Sequence, residues 1–360
     1  MKSLADTLYT AWIIGTKDIL DALKNKSSRS NIVLMIGMVA FFYFLSVLRP
    51  FDKNVGVVVY DEGNTKLALE SITLEDGAKY SFRVSSSLPE MEQMMGNQNL
   101  GLVLPADFDQ TLASGGTPIL NGYIFWADRA KVTGLEAKYS QAFSEILGQQ
   151  VQVVIGQNIV IPGADADGMQ TTVTYLMIYF VFAIALLLIP HLMVEEKQTK
   201  TLDALLTSPA SPGQIVLGKA LAGFFYILVT GGLAMVLFSA FIVNWVIALA
   251  AFLGFALLAI GLGLAVGSFV SSMKQSGIWM LVLILFMVVP PLFYMEPNLK
   301  AGIRTALTWF PSSALASLFR FACSTGVTPA LVWPNLAVTL ASITAVFALV
   351  IWKVRRSVRK

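Results

Sequence analysis

Residues 195–209 read Glu195-Glu-Lys-Gln-Thr-Lys-Thr-Leu-Asp-Ala-Leu-Leu-Thr-Ser-Pro209 and form a dense polar segment between long apolar runs. Leu202, Leu205 and Leu206 recur at a spacing of three and four residues, so a short helix here would carry a narrow apolar stripe. A proline then ends the stretch. A short amphipathic helix held beside a bilayer by two spans can pass a rigid-body displacement from a soluble partner to the membrane. The stretch therefore predicts a coupling segment, with its helix near residues 196–208.

The amino-acid composition indicates a membrane protein. The chain of 360 residues is 56% hydrophobic and only 13% charged, whereas an average soluble domain is roughly 25% charged. No Asp, Glu, Lys or Arg occurs in residues 220–273, which as a helix would extend about 80 Å and cross a roughly 30 Å hydrocarbon core twice. The net charge of +3 is too small to indicate a nucleic-acid partner.

Apolar stretches predict an α-helical polytopic membrane protein with six transmembrane helices. The predicted spans cover residues 30–48, 168–194, 220–243, 245–271, 275–295 and 330–352. The first span stands alone, and the other five form a transmembrane region over residues 171–352. Pro290 and Pro291 are expected to kink or end the fifth span. Residues 296–328 are only moderately apolar and predict an outer re-entrant segment of short helices.

The first 29 residues predict a helix lying at the membrane surface. Apolar residues follow one helical stripe, and acidic and basic residues project from the other side, as in an interfacial helix. The apolar stripe consists of Leu4, Leu8, Trp12, Ile19 and Leu23, and the polar side of Asp6, Lys17, Asp18, Asp21 and Lys24. The alternative is a helix packed on a soluble partner.

Residues 49–170 have an ordinary soluble composition and predict a small inserted α/β domain in the extracytoplasmic space. Short apolar runs at 55–60, 100–104 and 119–126 suit buried strands. Segments with helical spacing lie between them, near residues 65–72, 88–95 and 107–112. Apolar residues recurring from 132 to 146 predict one long helix that leads back to the membrane and is broken at Pro162 and Gly163.

The distribution of basic residues predicts the orientation in the membrane. Under the six-span scheme, the short inner segments carry 14 Lys and Arg and the short outer segment 3. Because short cytoplasmic loops are enriched in Lys and Arg, both termini, residues 195–209 and the basic tail at 353–360 are expected in the cytoplasm of a cell-membrane protein.

Candidate catalytic motifs are weak. Gly213, Gly218 and Lys219 approach the phosphate-binding pattern, but Ala220 stands where that pattern needs Ser or Thr, and the segment opens a membrane span. The single histidine and single cysteine allow neither a metal cluster nor a Ser-His-Asp set. No catalytic, cofactor-binding or metal-ligating residue is predicted, and the chain is not expected to be an enzyme.

The predicted spans contain no Asp, Glu, Lys or Arg, which argues against an ion-driven carrier. Energy for transport would then come from a partner acting on the coupling segment. Tyr175 and Tyr179 lie one turn apart on the second span and are candidates for lining a pathway. The alternative for these tyrosines is a packing face or an aromatic belt.

The order of parts resembles the permease subunits of type-2 ATP-binding-cassette transporters. The most specific similarity is between residues 191–209, followed by Gly218-Lys219, and that family's coupling helix of the form Glu-x-x-x-x-Thr-hydrophobic-x-x-Leu-Leu-x-x-Pro. The residues on this pattern are Glu196, Thr201, Leu202, Leu205, Leu206 and Pro209. Residues 102–108, Leu-Val-Leu-Pro-Ala-Asp-Phe, resemble the family's strand followed by a Pro and Phe turn.

The resemblance implies an exporter permease that acts as a dimer, and the second permease chain is expected to be another copy of this chain. Each copy would dock a separate ATP-binding subunit, which would bind ATP and magnesium, and substrate would move outward between the two halves. Glu195 and Glu196 would lie where the second span meets the cytoplasm, and the leucines of the segment would enter the ATPase cleft. The acidic pair has an alternative role, which is to complement a helix N-terminus. Two other functions stay open: a membrane-anchored receptor that uses the outer domain, and an ion-coupled carrier.

Overall fold

The computed structural model describes residues 54–63, 77–95, 99–164, 210–294 and 299–358, the helix at 4–24, and residues 65 and 72–74. It also describes the helical positions 29–30, 33–34, 36–38, 40–41 and 44, and the pairs 189–190, 193–194 and 197–198. The predicted spans at 30–48 and 168–194 therefore lie largely outside the described residues.

A seven-stranded sheet occupies the part of the chain that follows the first predicted span. This sheet and the helices packed on it are called the sheet domain below. Its strands are β1 (Asn54–Asp61), β2 (Ile72–Thr73), β3 (Lys79–Ser85), β4 (Leu100–Leu104), β5 (Ile119–Phe125), β6 (Gln152–Val154) and β7 (Ile159–Val160). The order is β2-β3-β1-β4-β5-β6, and β7 also pairs with β5. β1 is parallel to both β3 and β4, while β4 and β5 are antiparallel.

Helices cover both faces of this sheet, which explains the continuous apolar run of its central strand β1. On one face, Met91 of α2 (Leu88–Met94) packs with Val58 and Val103. On the other face, Phe143 of α4 (Val132–Leu147) contacts Tyr80 edge to face, with ring centroids 6.1 Å apart. The short helix α3 (Phe108–Ala113) buries Phe108 in the same core as α4. Strands buried on both faces lose the alternating pattern, because every side chain is inside.

The helix α4 corrects one prediction. It does not lead back to the membrane, and Pro162 and Gly163 do not break it. It ends at Leu147, because Gly148 adopts the left-handed conformation with φ of 65°, which closes a helix at low steric cost. Two short strands, β6 and β7, then complete the sheet.

Four helices among the described residues are long and apolar enough to cross a membrane. They lie in α5 (Pro212–Leu237), α6 (Trp245–Phe269), α7 (Met273–Tyr294) and α10 (Pro329–Val358). α5 begins eight residues before the predicted span at 220–243. α7 continues through both prolines, Pro290 and Pro291, and ends at Tyr294.

Two short helices, α8 (Ala301–Leu307) and α9 (Pro311–Ala322), fill the predicted re-entrant segment. α9 packs against α6, α7 and α10 and buries almost its whole length. Phe319 of α9 meets Phe255 of α6 edge to face at 6.0 Å. α9 is therefore a core element of the helical bundle.

Exposed tryptophans mark both ends of the bundle. Trp245 and Trp333 lie near the starts of α6 and α10, where the bundle meets the sheet domain, and both are exposed. Trp279 of α7 and Trp352 of α10 are exposed towards the opposite end. Tryptophan at both ends of apolar helices is typical of the two interfaces of a bilayer.

The N-terminal helix α1 (Leu4–Lys24) packs on α5. Ala11, Ile14 and Asp18 form the buried face. The predicted apolar stripe is turned away from this contact, since Leu8 and Trp12 are exposed. The prediction that Asp18 lies on the solvent-facing polar side was therefore wrong, because a second, narrower face of α1 packs on α5.

Candidate functional site

The predicted coupling segment is described at only two of its positions, Lys197 and Gln198, and both are helical. The other predicted coupling residues lie outside the described residues, as do the two pathway candidates. They are Glu195, Glu196, Thr201, Leu202, Leu205 and Leu206, with Tyr175 and Tyr179 for the pathway. The candidate site is therefore built from the described residues at the two ends of the segment.

At the start of the segment, Lys197 forms hydrogen bonds with the C-terminal end of α6. Its Nζ donates to the carbonyl oxygens of Gly267, Ser268 and Val270 at 2.8, 2.6 and 2.9 Å. The last carbonyls of a helix have no partner within the helix and carry its negative dipole end. A lysine ammonium is matched to this position, because it has three N–H donors and a positive charge.

The electrostatic setting of Lys197 includes a second lysine. Burial and the nearby positive charge of Lys353 lower the pKa of Lys197 to about 8. Lys197 is therefore still mainly protonated at pH 7 and can donate three hydrogen bonds. The Nζ of Lys353, on α10, lies 4.8 Å from the ring centroid of Phe269, the last residue of α6.

At the other end of the segment, α5 begins with a well-defined cap. The Gln214 amide N–H donates to Ser211 Oγ at 3.3 Å, and the Ser211 amide N–H donates to Gln214 Oε1 at 2.7 Å. Pro212 occupies the first turn, where its missing N–H has no cost. This reciprocal cap fixes the residue at which the segment ends and the helix starts.

One turn further along α5, a buried ion pair joins this helix to α1. Lys219 Nζ lies 3.3 Å from Asp18 Oδ2, and the two side chains are 0% and 7% exposed. The hydroxyl of Tyr226 donates to the backbone oxygen of Asp18 at 3.2 Å. A buried charge is tolerated only when it is paired, so this contact holds α1 in one position on α5.

Close backbone packing reinforces the contact between α1 and α5. A Cβ atom added at Gly218 would lie 2.6 Å from Cβ of Ile14 and 2.9 Å from the oxygen of Ala11. Only glycine permits such an approach. The Gly218-Lys219 pair therefore has a structural role: glycine lets the two helices meet, and lysine pairs with the facing carboxylate.

The same geometry excludes a phosphate-binding loop at Gly213, Gly218 and Lys219. These residues lie within the continuous helix α5, whereas a phosphate-binding loop needs an irregular turn between a strand and a helix. The Lys219 ammonium is directed at Asp18 inside the protein.

The sheet domain contacts the bundle at the end of α6 opposite to Lys197. Arg129 donates to the backbone oxygen of Ala240 at 2.7 Å, just before α6 begins. Arg320 of α9 donates through Nε to the oxygen of Ala164 at 2.6 Å. α6 has 25 residues and is about 37 Å long. The sheet domain and the Lys197 contact are therefore separated by a length that crosses a bilayer.

The sequence did not predict the buried contacts of Asp18 and Lys197. Both are charged residues in segments rich in charge, where most side chains face solvent, and nothing in their spacing distinguishes them. The Gly218-Lys219 pair was noted as a weak match to a phosphate-binding pattern and as part of a family resemblance, and neither observation predicts its contact with α1.

Fold and site together define a polytopic helical membrane protein with a sheet domain at one end of its bundle and a polar segment at the other. A family model described as ABC-2 family transporter protein matches residues 29–352 of the chain. The chain belongs to this family, and it is a permease subunit of the type-2 class. None of the curated proteins compared with the chain matches it.

Proposed function

We propose that the chain is the membrane-spanning permease of an ATP-driven exporter. In this proposal a separate ATP-binding subunit docks on residues 195–209 from the cytoplasm and moves the bundle. The chain crosses the membrane six times, both termini are cytoplasmic, and the sheet domain is an α/β insertion outside the cell. ATP and magnesium bind to the partner subunit.

The single observation that carries this proposal is the attachment of the coupling segment to the bundle at both ends. Lys197 ties its start to α6, and α5, which begins just after the segment, is fixed to α1 by Lys219 and Asp18. A segment anchored in this way transmits a displacement to three helices, whereas a flexible linker would absorb it.

The distribution of charge in the described spans supports a partner as the source of energy. No Asp, Glu, Lys or Arg occurs in residues 220–273, 275–294 or 329–352. Ion-driven carriers place ionisable side chains in the membrane interior, because the coupling ion must bind there. Among the described spans, the charged residue furthest from a helix end is Lys219 of α5, which is paired with Asp18 in the contact with α1.

We further propose that two copies of the chain form the transport unit. α7 has a broad exposed apolar surface that includes Ile278, Leu281 and Leu285. In a membrane, this surface can contact lipid or a second copy. The family membership favours a second permease chain on one such face, with substrate passing between the two halves.

Docking of the ATPase subunit is the test. The double variant Leu205→Glu and Leu206→Glu places two charges on the predicted apolar stripe. Lys200→Glu is the matched control, because the helical spacing predicts Lys200 on the side opposite to that stripe. We expect the double variant to lose both co-purification of the ATP-binding subunit and ATP-dependent transport. The control should retain both. A double variant that still binds the subunit and transports would refute the proposal and favour a receptor or an ion-coupled carrier.

A further inference from the structure

The last turn of α6 has an unusual cap. Helices commonly end on a glycine in the left-handed conformation, which brings backbone N–H groups to the free carbonyls. α6 instead continues into Val270 with φ of −95° and ψ of 154°, an extended conformation. The carbonyls of Gly267, Ser268 and Val270 accept from a side chain 70 or more residues away in the sequence. That side chain is Lys197.

The helical residues before Lys197 also pack tightly on α6. Ile189, Met193 and Val194 are all buried, with exposures of 0%, 1% and 0%. A Cβ atom added at Gly267 would lie 2.8 Å from Cβ of Met193 and 3.0 Å from the oxygen of Pro190. Because the two backbones approach this closely, the start of the coupling segment cannot slide along α6 without breaking these contacts.

A continuous set of contacts then leads from α6 to the sheet domain. At the other end of α6, the amides of Val243 and Asn244 donate to the carbonyl oxygen of Ala322, the last residue of α9, at 2.9 and 2.8 Å. Beyond α9, the Thr325 amide donates to the oxygen of Pro162 at 2.9 Å. Residues 162 and 325 thus join the end of the sheet domain to the bundle.

We propose that Lys197 is a positioning residue that fastens the coupling segment to α6, so that a displacement of the segment moves α6, α9 and the sheet domain together. This inference rests on the proposed function, since it concerns how the partner's movement reaches the far side of the membrane. Packed helices and hydrogen-bonded joints carry such coupling, because they move as rigid elements.

The hydrogen bonds and the charge of Lys197 determine which substitutions test its contact with α6. Methionine has a similar length and no donor, so Lys197→Met removes all three hydrogen bonds and the charge at the helix end. Arginine keeps the charge and several N–H donors, so Lys197→Arg should retain most of the contact. Lys274→Met is the matched control, because Lys274 is an exposed lysine in the first turn of α7, at the same end of the bundle.

The experiment uses the full permease with its ATP-binding subunit reconstituted in sealed proteoliposomes. We expect Lys197→Met to bind the ATP-binding subunit as the wild type does while transporting about tenfold more slowly, a typical size for a coupling term between two sites. Lys197→Arg and Lys274→Met should transport at close to the wild-type rate. A Lys197→Met variant that transports normally, or an equal defect in Lys274→Met, would overturn the inference.

A second measurement needs no transported substrate. Hydrogen exchange of the wild-type complex is followed with and without ATP, in peptides that cover residues 195–209, 262–270 and 320–325. We expect exchange to change in all three regions together, and the changes in the second and third to disappear in Lys197→Met. Changes confined to residues 195–209 would overturn the inference. Failure of the ATP-binding subunit to bind the wild type would instead refute the proposed function.

Discussion

Removal of the Asp18 carboxylate should detach α1 from α5. The Lys219 and Asp18 charges lie 3.3 Å apart with almost no exposure. Coulomb's law at an effective dielectric constant of about 20 gives an attraction of about 5 kcal/mol. Much of this offsets the desolvation of the two charges, but loss of one partner leaves the other charge buried. Asp18→Ala is therefore expected to lower the free energy of unfolding by about 3 to 5 kcal/mol.

The assay is thermal unfolding of the full-length protein in detergent, followed by intrinsic fluorescence. At about 2 °C per kcal/mol for a chain of this size, the apparent Tm of Asp18→Ala should fall by about 6 to 10 °C. The double variant Asp18→Leu and Lys219→Met replaces both charges with apolar groups and should recover most of this loss. Asp21→Asn is the control, because Asp21 forms an exposed pair with Lys17 at 3.8 Å. Exposed pairs contribute about 0 to 1 kcal/mol.

Two results would refute this reasoning. If Asp18→Ala unfolds at the wild-type temperature, the buried pair does not hold α1 on α5. If the double variant is as unstable as Asp18→Ala or more so, the loss does not come from an unpaired buried charge.

Three further predictions concern Gly218, Gly148 and Lys197. Gly218→Ala should destabilise the protein by about 1 to 3 kcal/mol, because the added methyl group overpacks against α1. Gly213→Ala is the control and should leave stability unchanged, since no atom lies within 4 Å of its added Cβ. Equal apparent Tm values for the two variants would contradict this prediction. Gly148→Ala should cost about 1 kcal/mol because of its left-handed φ of 65°, while Gly134→Ala in open space should be neutral or stabilising. Because the pKa of Lys197 is lowered to about 8, raising the pH through 8 should remove one donor and slow transport, and Lys197→Arg should show no such step. Between the lowered pKa of Lys197 and the ordinary lysine pKa, the unfolded state binds more protons than the folded state. The free energy of unfolding therefore rises with pH in this range, so slower transport there cannot result from a loss of stability at Lys197.

The sequence predicted the elements whose signal is local and strong. The short apolar runs at 55–60, 100–104 and 119–126 became β1, β4 and β5. β1 and β4 are buried on both faces, which requires apolar residues at nearly every position, whereas β5 buries alternate residues. The long charge-free stretches after residue 220 became α5, α6 and α7 for a similar reason, since a bilayer demands apolar side chains on all sides of a span.

The elements that were missed depend on tertiary contacts. In β3, Tyr80, Phe82 and Val84 alternate with polar residues, which is a strand pattern. The pattern is short, and the longer apolar runs nearby give a stronger signal. The end of α4 at Gly148 could have been read from the glycine that follows its last apolar residue. β6 and β7 are too short to carry a pattern of their own, and they form because β5 offers a free edge.

For the candidate site, the sequence indicates a polar segment but not the contacts that its ends make. The polar segment stands out by composition, but its attachment depends on which charged residues become buried. Asp18 and Lys219 are 201 positions apart, and Lys197 reaches carbonyls about 70 positions away. Backbone carbonyls carry no sequence signal, because every residue has one. The structure is needed to see that a lysine in this segment meets the end of a particular helix.

The central claim is that residues 195–209 face the cytoplasm while the sheet domain faces outward. Its most direct test is the reaction of single cysteines with a membrane-impermeant maleimide on intact cells, in a Cys323→Ser background. Glu145→Cys, at an exposed position of α4, should react on intact cells, and Lys200→Cys should react only after the membrane is permeabilised. Reaction of Lys200→Cys on intact cells, with Glu145→Cys protected, would contradict the account.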